Sequence, residues 1–350
     1  MFKISVTLKS NLSIVDVMFR APNFWNKKQW FNYILVPLSW LWTRIGRWNE
    51  GHIKPERVSV PVICVGNLVM GGAGKTPTVI ALVDVLKKIG HNPHILSRGY
   101  GAYIRNAIRV NGNKHNYLQV GDEPLLLAAA APTWACPNRV QSAKAAIEEG
   151  ATILIMDDGL QNPSLEKDLS FIVVDTVQGI GNGMVFPAGP LREPVPSGVD
   201  RAQAMIVIGS DNPLSEYTDR EFHAKITCLK QQHGKRVVAF VGIGYPEKFR
   251  VTLIENGYLL CDFVTFADHH PYTIPDMIKL VKLAELHHAT LITTAKDWIR
   301  VPSEYRSFVD SLPVVLNFED PDKIQSFITK SLQDYINDIE KAPITTSSNL

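Results

Sequence analysis

Cysteine is scarce in this sequence of 350 residues, and its few cysteines stand far apart. No two of them form a C-x-x-C pair; they are Cys64, Cys136, Cys228 and Cys261. This spacing argues against a cysteine zinc cluster or a disulfide framework and fits the reducing cytosol. Internal repeats and low-complexity tracts are also missing. The first long apolar run starts near residue 30 with no small-residue cleavage site after it, so we expect no signal peptide.

A large excess of charge of one sign is missing too. The 36 lysines and arginines are nearly matched by 34 acidic residues, which leaves a net charge of +2. Hydrophobic residues make up 45% of the chain and charged residues 20%, an ordinary balance for a globular protein. The length allows two α/β domains with cores of their own. We expect no nucleic-acid partner, and the sequence implies no protein partner.

Positive charge is concentrated at the start of the chain. Residues 1–57 contain nine Lys/Arg and three Asp/Glu, a net charge of +6, and five of the seven tryptophans: Trp25, Trp30, Trp40, Trp42 and Trp48. Within this segment, residues 29–43 carry no charge and have cations on both sides. As a helix this run would be about 22 Å long, short of the ~30 Å hydrocarbon core, and Pro37 would kink it. We predict a membrane-associating helix at the headgroup boundary; a buried core helix and a membrane span are the alternatives.

From residue 61 onward, apolar runs alternate with amphipathic helical stretches, as in a parallel doubly wound sheet. The first series of predicted strands covers 62–65, 94–97, 151–156, 171–174 and 204–208, and the second covers 236–241, 263–266, 290–293 and 314–318. A polar stretch, 211–234, separates the two series and contains a predicted strand at 223–229. We therefore predict three parts: the membrane-associating segment 1–57, a P-loop NTPase-like nucleotide-binding domain 58–222, and a second, smaller α/β domain 223–350 with a helix at 321–341.

Residues 62–78, V-I-C-V-G-N-L-V-M-G-G-A-G-K-T-P-T, have the strand–loop–helix layout of a phosphate-binding P-loop. Lys75 would reach the β- and γ-phosphates of a nucleotide, and the Thr76 hydroxyl would hold Mg²⁺. An ordinary glycine turn is the alternative. The strict motif requires glycine at position 69, where this chain has Val69. The loop resembles the variant Walker A motif of the partitioning ATPases, but Met70 replaces their signature lysine. The predicted nucleotide contacts are Asn67, Met70, Gly71, Gly72, Ala73, Gly74, Lys75, Thr76 and Pro77.

Other chemically active residue types follow the predicted strands, where open α/β sheets bind ligands. Asp157 and Asp158 form a Walker B-like pair after a buried strand, or else a turn with a helix cap. Asp122 is either a functional carboxylate or a helix N-cap. The remaining candidates each have a structural alternative in loop, turn or surface chemistry; they are Arg98, the charged pair Arg192 and Glu193, the cluster Asp268, His269 and His270, and the pair Lys296 and Asp297.

Taken together, the motifs resemble one family, the tetraacyldisaccharide 4′-kinases that phosphorylate the lipid A precursor of Gram-negative bacteria. They are G-N-L-V-M-G-G-A-G-K-T-P, S-R-G-Y-G, G-D-E-P-L-L-L-A, D-D-G-L-Q, P-A-G-P-L-R-E-P, G-I-G-Y-P-E-K-F, F-A-D-H-H-P-Y-T and T-T-A-K-D. The resemblance runs from about residue 20 to about residue 320, and residues 1–19 look like an extension or a misplaced start. It implies ATP and Mg²⁺, two α/β domains, and peripheral attachment to the cytoplasmic face of the inner membrane. The implied reaction moves the γ-phosphoryl of ATP to the 4′-hydroxyl of a tetraacylated glucosamine disaccharide 1-phosphate.

The resemblance also implies roles for single residues. Asp122 looks like the catalytic base for the sugar hydroxyl and works with a histidine, for which His269 is preferred to His270. The acidic set around magnesium and the phosphates is Asp157, Asp158 and Glu193, with Thr76. Substrate contacts are expected from Arg98, Arg192 and Gln161. The family commonly has D-D-G-F-Q-H where this chain has D-D-G-L-Q-N, so Leu160 and Asn162 differ and residue 162 is excluded as a base.

Two other functions are compatible with parts of the sequence. A deviant-Walker ATPase could act as a dimeric switch at a membrane, although Met70 and the D-H-H cluster argue against it. A nucleotide-gated membrane-binding module without catalysis is the other alternative. It would have no phosphoryl acceptor and would tolerate the loss of Asp122.

Overall fold

The computed structural model describes residues 22–229 and 232–341, which form two β-sheets with helices packed on them. The predicted extension 1–19, the rest of the N-terminal segment before residue 22 and the end of the chain from residue 342 lie outside the described residues. The strands are β1 Val62–Gly66, β2 Pro93–Ser97, β3 Ile108–Arg109, β4 Thr133–Ala135, β5 Ile153–Asp157, β6 Leu169–Asp175, β7 Ala204–Ile208, β8 Glu221–Cys228, β9 Arg236–Val241, β10 Leu259–Thr265, β11 Thr290–Thr294, β12 Val309–Leu312 and β13 Val314–Phe318.

Ten α-helices connect or flank these strands in the described part of the chain. They are α1 Asn32–His52, α2 Lys75–Lys88, α3 Tyr117–Val120, α4 Asp122–Leu127, α5 Arg139–Glu148, α6 Val195–Val199, α7 Pro246–Glu255, α8 Ile274–Leu286, α9 Ala295–Arg300 and α10 Pro321–Lys341. Capping side chains explain where two of these helices begin. Thr273 and Asp276 form a capping box at α8, and the Thr294 hydroxyl caps α9 by accepting from the backbone N–H of Asp297.

The larger sheet has nine strands in the order β13-β8-β7-β6-β1-β5-β2-β4-β3. Its pairs are parallel except for β3 with β4 and β8 with β13. Along β1, Ile63 and Val65 join the core beneath α2 and α10, whereas Val62 and Cys64 join the core on the opposite face. Both faces are covered, so every residue of β1 is buried, as expected for a central strand of a doubly wound sheet. The predicted α/β fold class is confirmed.

The smaller sheet contains four parallel strands in the order β10-β9-β11-β12. Its two faces have separate cores. Phe240 and Met277 belong to the core under α8, and Ala239 and Leu253 belong to the core under α7.

Strand membership differs from the sequence prediction at two places. The strand at 314–318 was assigned to the smaller sheet, but β13 pairs antiparallel with β8 at the edge of the larger sheet. The predicted boundary after residue 222 falls inside β8, which pairs with β7. The physical reason is the position of α10, which covers the larger core with Ile324, Ile328 and Leu332, so the chain returns to the first sheet before it ends.

The predicted membrane-associating run lies mostly in α1, which is longer than the run and extends to residue 52. One side of α1 contacts the loop before residue 193: Asn32 Nδ2 donates to Ala188 O at 2.8 Å, and Ser39 Oγ donates to Val185 O at 2.7 Å. The other side is apolar and exposed, with Trp40 at 75% and Trp48 at 63% relative exposure. The buried-helix alternative is therefore wrong. Among the described residues no helix combines the length and apolarity that a membrane span requires.

Candidate active site

The P-loop leaves β1 at the carboxyl edge of the larger sheet and ends at the first residue of α2. Gly74 has φ +81°, a left-handed conformation that favours glycine, and Lys75 follows it directly. Nζ of Lys75 donates to Oδ1 of Asn67 at 3.0 Å and lies 3.5 Å from Oδ1 of Asp158. The lysine is thus held over the loop, while Thr76 and Pro77 continue the first turn of α2.

A second loop, residues 184–192, braces the P-loop. The N–H of Met70 donates to Pro190 O at 2.8 Å, and the N–H of Arg192 donates to Leu68 O at 2.8 Å. Val69 forms an antiparallel bridge with Leu191 and is buried. The departure from the strict motif at position 69 therefore has a structural reason, because an extended apolar residue packs there against the bracing loop.

The acidic pair follows β5, the strand beside β1, and its two carboxylates have different surroundings. Asp158 accepts two parallel bonds from Arg192, at 2.8 and 3.0 Å. Burial by itself raises the pKa of Asp158, but Lys75 and Arg192 outweigh it and lower the pKa to about 2. Asp157 is buried, and its Oδ1 has no hydrogen-bond partner in the described structure. Burial, together with the charges of Glu123 and Asp158, raises the pKa of Asp157 to about 7.

Gln161 and Glu193 belong to the same network but not to one shared cation site. Gln161 Nε2 donates to Glu193 Oε1 at 2.9 Å, and its Oε1 accepts from Arg192 at 3.1 Å. Both oxygens of Glu193 accept from Arg201, which also pairs with Glu50 of α1. In the part of the chain that the structure describes, no three acidic, histidine or cysteine side chains lie close enough to share a metal ion. The three predicted acidic ligands are therefore not brought together.

Asp122 is the first residue of α4 and is only 3% exposed. Gly121 before it has φ +90°, and a Cβ there would lie 2.9 Å from Tyr100 O, so glycine is required. Oδ2 of Asp122 lies 2.9 Å from Nδ1 of His269 and 3.4 Å from Nε of Arg300. Burial raises the pKa of Asp122, but the bond from His269 and the charges of Lys296 and Arg300 lower it to about 2.

His269 reaches Asp122 from the loop after β10, in the smaller sheet. Its φ of +58° is left-handed, a conformation that costs energy outside glycine and concentrates at functional sites. His270 points elsewhere: its Nε2 lies 3.1 Å from Asp276, and its ring stacks on Phe266. Of the two adjacent histidines, the structure brings only His269 to Asp122.

The D-H-H cluster also adjoins the P-loop. A Cβ built on Gly244 would lie 3.3 Å from Oδ2 of Asp268 and 3.5 Å from Cα of Gly71. The loops after β9 and β10 therefore face the phosphate-binding loop of the larger sheet. Arg98 follows β2 at the same edge of that sheet and is exposed.

Comparison with known proteins identifies the family. A family model described as tetraacyldisaccharide-1-P 4′-kinase matches residues 31–333. The chain belongs to this family.

Individual relatives agree over nearly the whole chain. A tetraacyldisaccharide 4′-kinase of Rhodospirillum centenum is 41% identical over 329 residues, covering 89% of this chain and 97% of the relative. One from Paramagnetospirillum magneticum is 44% identical over 310 residues, covering 86% and 95%. The crystal structure of LpxK from Aquifex aeolicus in complex with ATP has a TM-score of 0.69 at 26% identity and covers 86% of this chain and 99% of that one.

Lys296 and Asp297, for which a surface ion pair was the alternative, lie at the site of this tetraacyldisaccharide 4′-kinase family member. Lys296 donates to Glu123 at 3.0 Å and lies 3.2 Å from Nε2 of His269. Sequence reasoning missed Arg300, whose Nε lies 3.4 Å from Oδ2 of Asp122. Asp297 is fully buried and accepts from the N–H of Gly242, at 2.8 Å. The spacing of Lys296 and Arg300, four residues apart on a helix, was the available signal, since it places both cations on one face.

Proposed function

We propose that the chain transfers the γ-phosphoryl group of ATP to the 4′-hydroxyl of a tetraacylated glucosamine disaccharide 1-phosphate, with Asp122 and His269 acting on that hydroxyl. The chain is a lipid kinase, and ATP is its phosphoryl donor. The observation that carries the residue assignment is the 2.9 Å contact between the buried Asp122 and His269, which joins the two sheets beside the P-loop.

Asp122 suits the role of a base that accepts the hydroxyl proton as transfer proceeds. It stays ionised because its pKa is lowered to about 2, and an ionised carboxylate only accepts hydrogen bonds. Phosphoryl transfer needs positioning and charge neutralisation more than a strong base, so a low pKa is compatible with this role. His269 orients the carboxylate toward the acceptor.

Lys75 suits the role of the cation on the β- and γ-phosphates. Its ammonium is held by Asn67, and its second contact, Asp158, is also paired with Arg192. The Gly71–Gly74 turn leaves backbone N–H groups for the phosphate oxygens. We assign Arg192, Arg98 and Gln161 to contacts with phosphate or sugar groups at this edge.

Magnesium fits at Asp157 and Thr76. The buried Oδ1 of Asp157 lacks a hydrogen-bond partner, and a buried carboxylate oxygen without one is costly. Asp157 and the Thr76 hydroxyl would hold the ion, and Asp158 and Glu193 stay predicted as ligands that would have to exchange their present arginine contacts. When bound, magnesium neutralises charge on the phosphate oxygens, and one or two protein carboxylates suffice for it.

We further propose that α1 rests on the cytoplasmic face of the bacterial inner membrane. Its exposed apolar side, together with Arg44 and Arg47 along the helix, suits a headgroup boundary with anionic lipids. Trp42 Nε1 donates to Arg192 O at 3.0 Å, so the helix is tied to the loop that braces the P-loop. A substrate that stays in the bilayer would then meet the site at its edge.

A labelled-phosphate assay tests the function. The protein is incubated with γ-labelled ATP and either the lipid disaccharide 1-phosphate or water. Label on the lipid 4′-position is the expected result. Label found only in inorganic phosphate would favour the ATPase alternative, and label that stays on ATP would favour the binding module.

The same assay tests the residue pair. Asp122→Asn and His269→Asn are each expected to lower kcat about 10²-fold or more, in the range of lost acid–base groups. His270→Asn is the matched control, because this adjacent histidine contacts Asp276 instead, and it should retain most of its activity. Full activity in both test variants would refute the assignment.

A further inference from the structure

Lys296 lies at the far side of the His269 ring from Asp122. Its Nζ lies 3.2 Å from Nε2 of His269 and donates to Oε1 of Glu123 at 3.0 Å. With the 2.9 Å contact of Nδ1 to Asp122, four side chains form one row: Asp122, His269, Lys296 and Glu123. Asp122 and Glu123 are the first two residues of α4. His269 comes from the loop after β10 and Lys296 from α9, both beside the smaller sheet.

The donors and acceptors around His269 determine which ring nitrogen carries the proton. A lysine ammonium has three donors and no acceptor, so Nε2 of His269 must accept from it. The ionised Asp122 can only accept, so Nδ1 must donate to it. Although burial lowers the pKa of Lys296, the charges of Glu123, Asp122 and Asp268 raise it above the ordinary value, so the lysine is protonated. The ring therefore carries one proton, on Nδ1.

The other charged groups near the ring nitrogens of His269 are carboxylates. Asp122 contacts Nδ1, and Oδ1 of Asp268 lies 3.9 Å from Nε2. The Tyr100 ring lies on one side at 5.1 Å, and Arg300 lies behind Asp122. Lys296 is thus the cation in direct contact with the ring, and it supplies the donor that Nε2 accepts.

We propose that Lys296 is a positioning residue for phosphoryl transfer, which donates to Nε2 of His269 and so holds the ring with its proton on Nδ1, where the imidazole donates to Asp122. The inference rests on the proposed roles of Asp122 and His269. Its reason is geometric: an ion pair with Glu123 would suffice to join the two sheets, yet Lys296 also contacts the catalytic imidazole. With the ring so fixed, Asp122 keeps a free lone pair for the acceptor hydroxyl.

An NMR experiment tests the tautomer without any need for activity. Two-bond ¹H–¹⁵N spectra are recorded on full-length protein labelled with ¹⁵N-histidine, and His269→Asn assigns the signal. The expected signal near pH 8 shows Nδ1 protonated and Nε2 bare, and in Lys296→Met it changes toward an Nε2-protonated or averaged ring. An Nε2-protonated ring in the wild type, or an unchanged ring in the variant, would overturn the proposal even if the chain is the kinase.

Kinetics test the consequence for catalysis. Lys296→Met is expected to lower kcat about 10²-fold, with smaller changes in KM for ATP and the lipid, because the group acts through another side chain. Lys296→Arg keeps a donor for Nε2 of His269, so it should keep the wild-type NMR signal and more of the activity. A signal like that of Lys296→Met would contradict the role of the donor.

A matched control separates positioning from sheet-to-sheet docking. Lys248 on α7 forms an ion pair with the buried Asp175 at the end of β6. It therefore also links the smaller sheet to the larger one, but it does not contact His269. Lys248→Met should keep the wild-type NMR signal of His269. If Lys248→Met and Lys296→Met lose the same fraction of kcat and neither changes the His269 signal, Lys296 only joins the two sheets and the proposal is wrong.

Discussion

Replacement of Asp122 by asparagine should change how the stability of this kinase depends on pH. Asparagine keeps the shape of the side chain and removes its charge. The carboxylate is only 3% exposed, and it lies against His269, Arg300 and the charge of Lys296. The native state therefore favours the ionised form of Asp122 more than the unfolded chain does.

The magnitude follows from the shift of the pKa. The pKa of Asp122 falls from 3.8 to about 2 on folding. At 1.36 kcal/mol per unit, this shift corresponds to about 2 kcal/mol of stability. Because the folded-state pKa is the lower one, the contribution is complete above the unfolded pKa and disappears as the pH falls through the folded pKa. The contribution should be nearly complete at about pH 5. Roughly half of it should remain near pH 3, and almost none at about pH 1.

Urea unfolding at several pH values measures this effect. The free energy of unfolding is determined for the wild type and for Asp122→Asn at about pH 7, 5, 4 and 3. The difference between them should shrink by about 1 kcal/mol from pH 5 to pH 3. Gly112→Ala, which changes no titratable group and has open space around it, is the control and should show a difference independent of pH. A constant difference for Asp122→Asn, or one that grows toward acid, would show that the carboxylate is not stabilised as an anion.

Three further changes test other parts of the structure. Arg192→Lys keeps the charge but loses the two parallel bonds to Asp158, so kcat should fall about tenfold or more in steady-state assays. Wild-type kinetics would contradict a role for this pair of hydrogen bonds. Gly121→Ala places a Cβ 2.9 Å from Tyr100 O at φ +90° and should destabilise the protein by roughly 1–3 kcal/mol in thermal melts, whereas Gly112→Ala, with open space around it, should not. Trp40→Ala should weaken flotation with anionic vesicles roughly tenfold at an unchanged melting temperature, and unchanged flotation would argue against α1 as the membrane contact.

The strands were predictable where burial on both faces makes a continuous apolar run. The predicted bounds 204–208 and 236–241 match β7 and β9, and 62–65 is one residue short of β1. The strands β4 and β12 were missed because they have three and four residues, and β12 includes the polar pair Asp310 and Ser311. Such short segments have no readable period.

The prediction for β13 had the right bounds and the wrong sheet. Its sequence shows an extended segment but contains nothing that chooses a partner strand. The choice depends on α10, whose apolar side covers the core of the larger sheet and carries the chain back to β8.

Some residues of the site could be predicted from the sequence and others could not. The P-loop with Lys75, the acids after β5 and the D-H-H cluster could be found as motifs because each is local in sequence. The row from Asp122 to Glu123 could not, because Lys296 and Glu123 are 173 positions apart and meet only when the two sheets pack. The contact of Glu193 with Arg201 was likewise not visible in the sequence, since it forms only in the folded chain.

The sequence by itself determined the family, the phosphate-binding loop and the order of the chemical motifs, because each depends on neighbouring residues and on their spacing along one strand–loop–helix unit. Tertiary structure decided which side chains meet: His269 rather than His270 at Asp122, Arg192 on Asp158, and Lys296 beside the imidazole. The reason is that an electrostatic contact acts over a few ångströms in space. Such a contact forms only when the two sheets are folded and packed together, so the spacing of the residues along the chain does not show it.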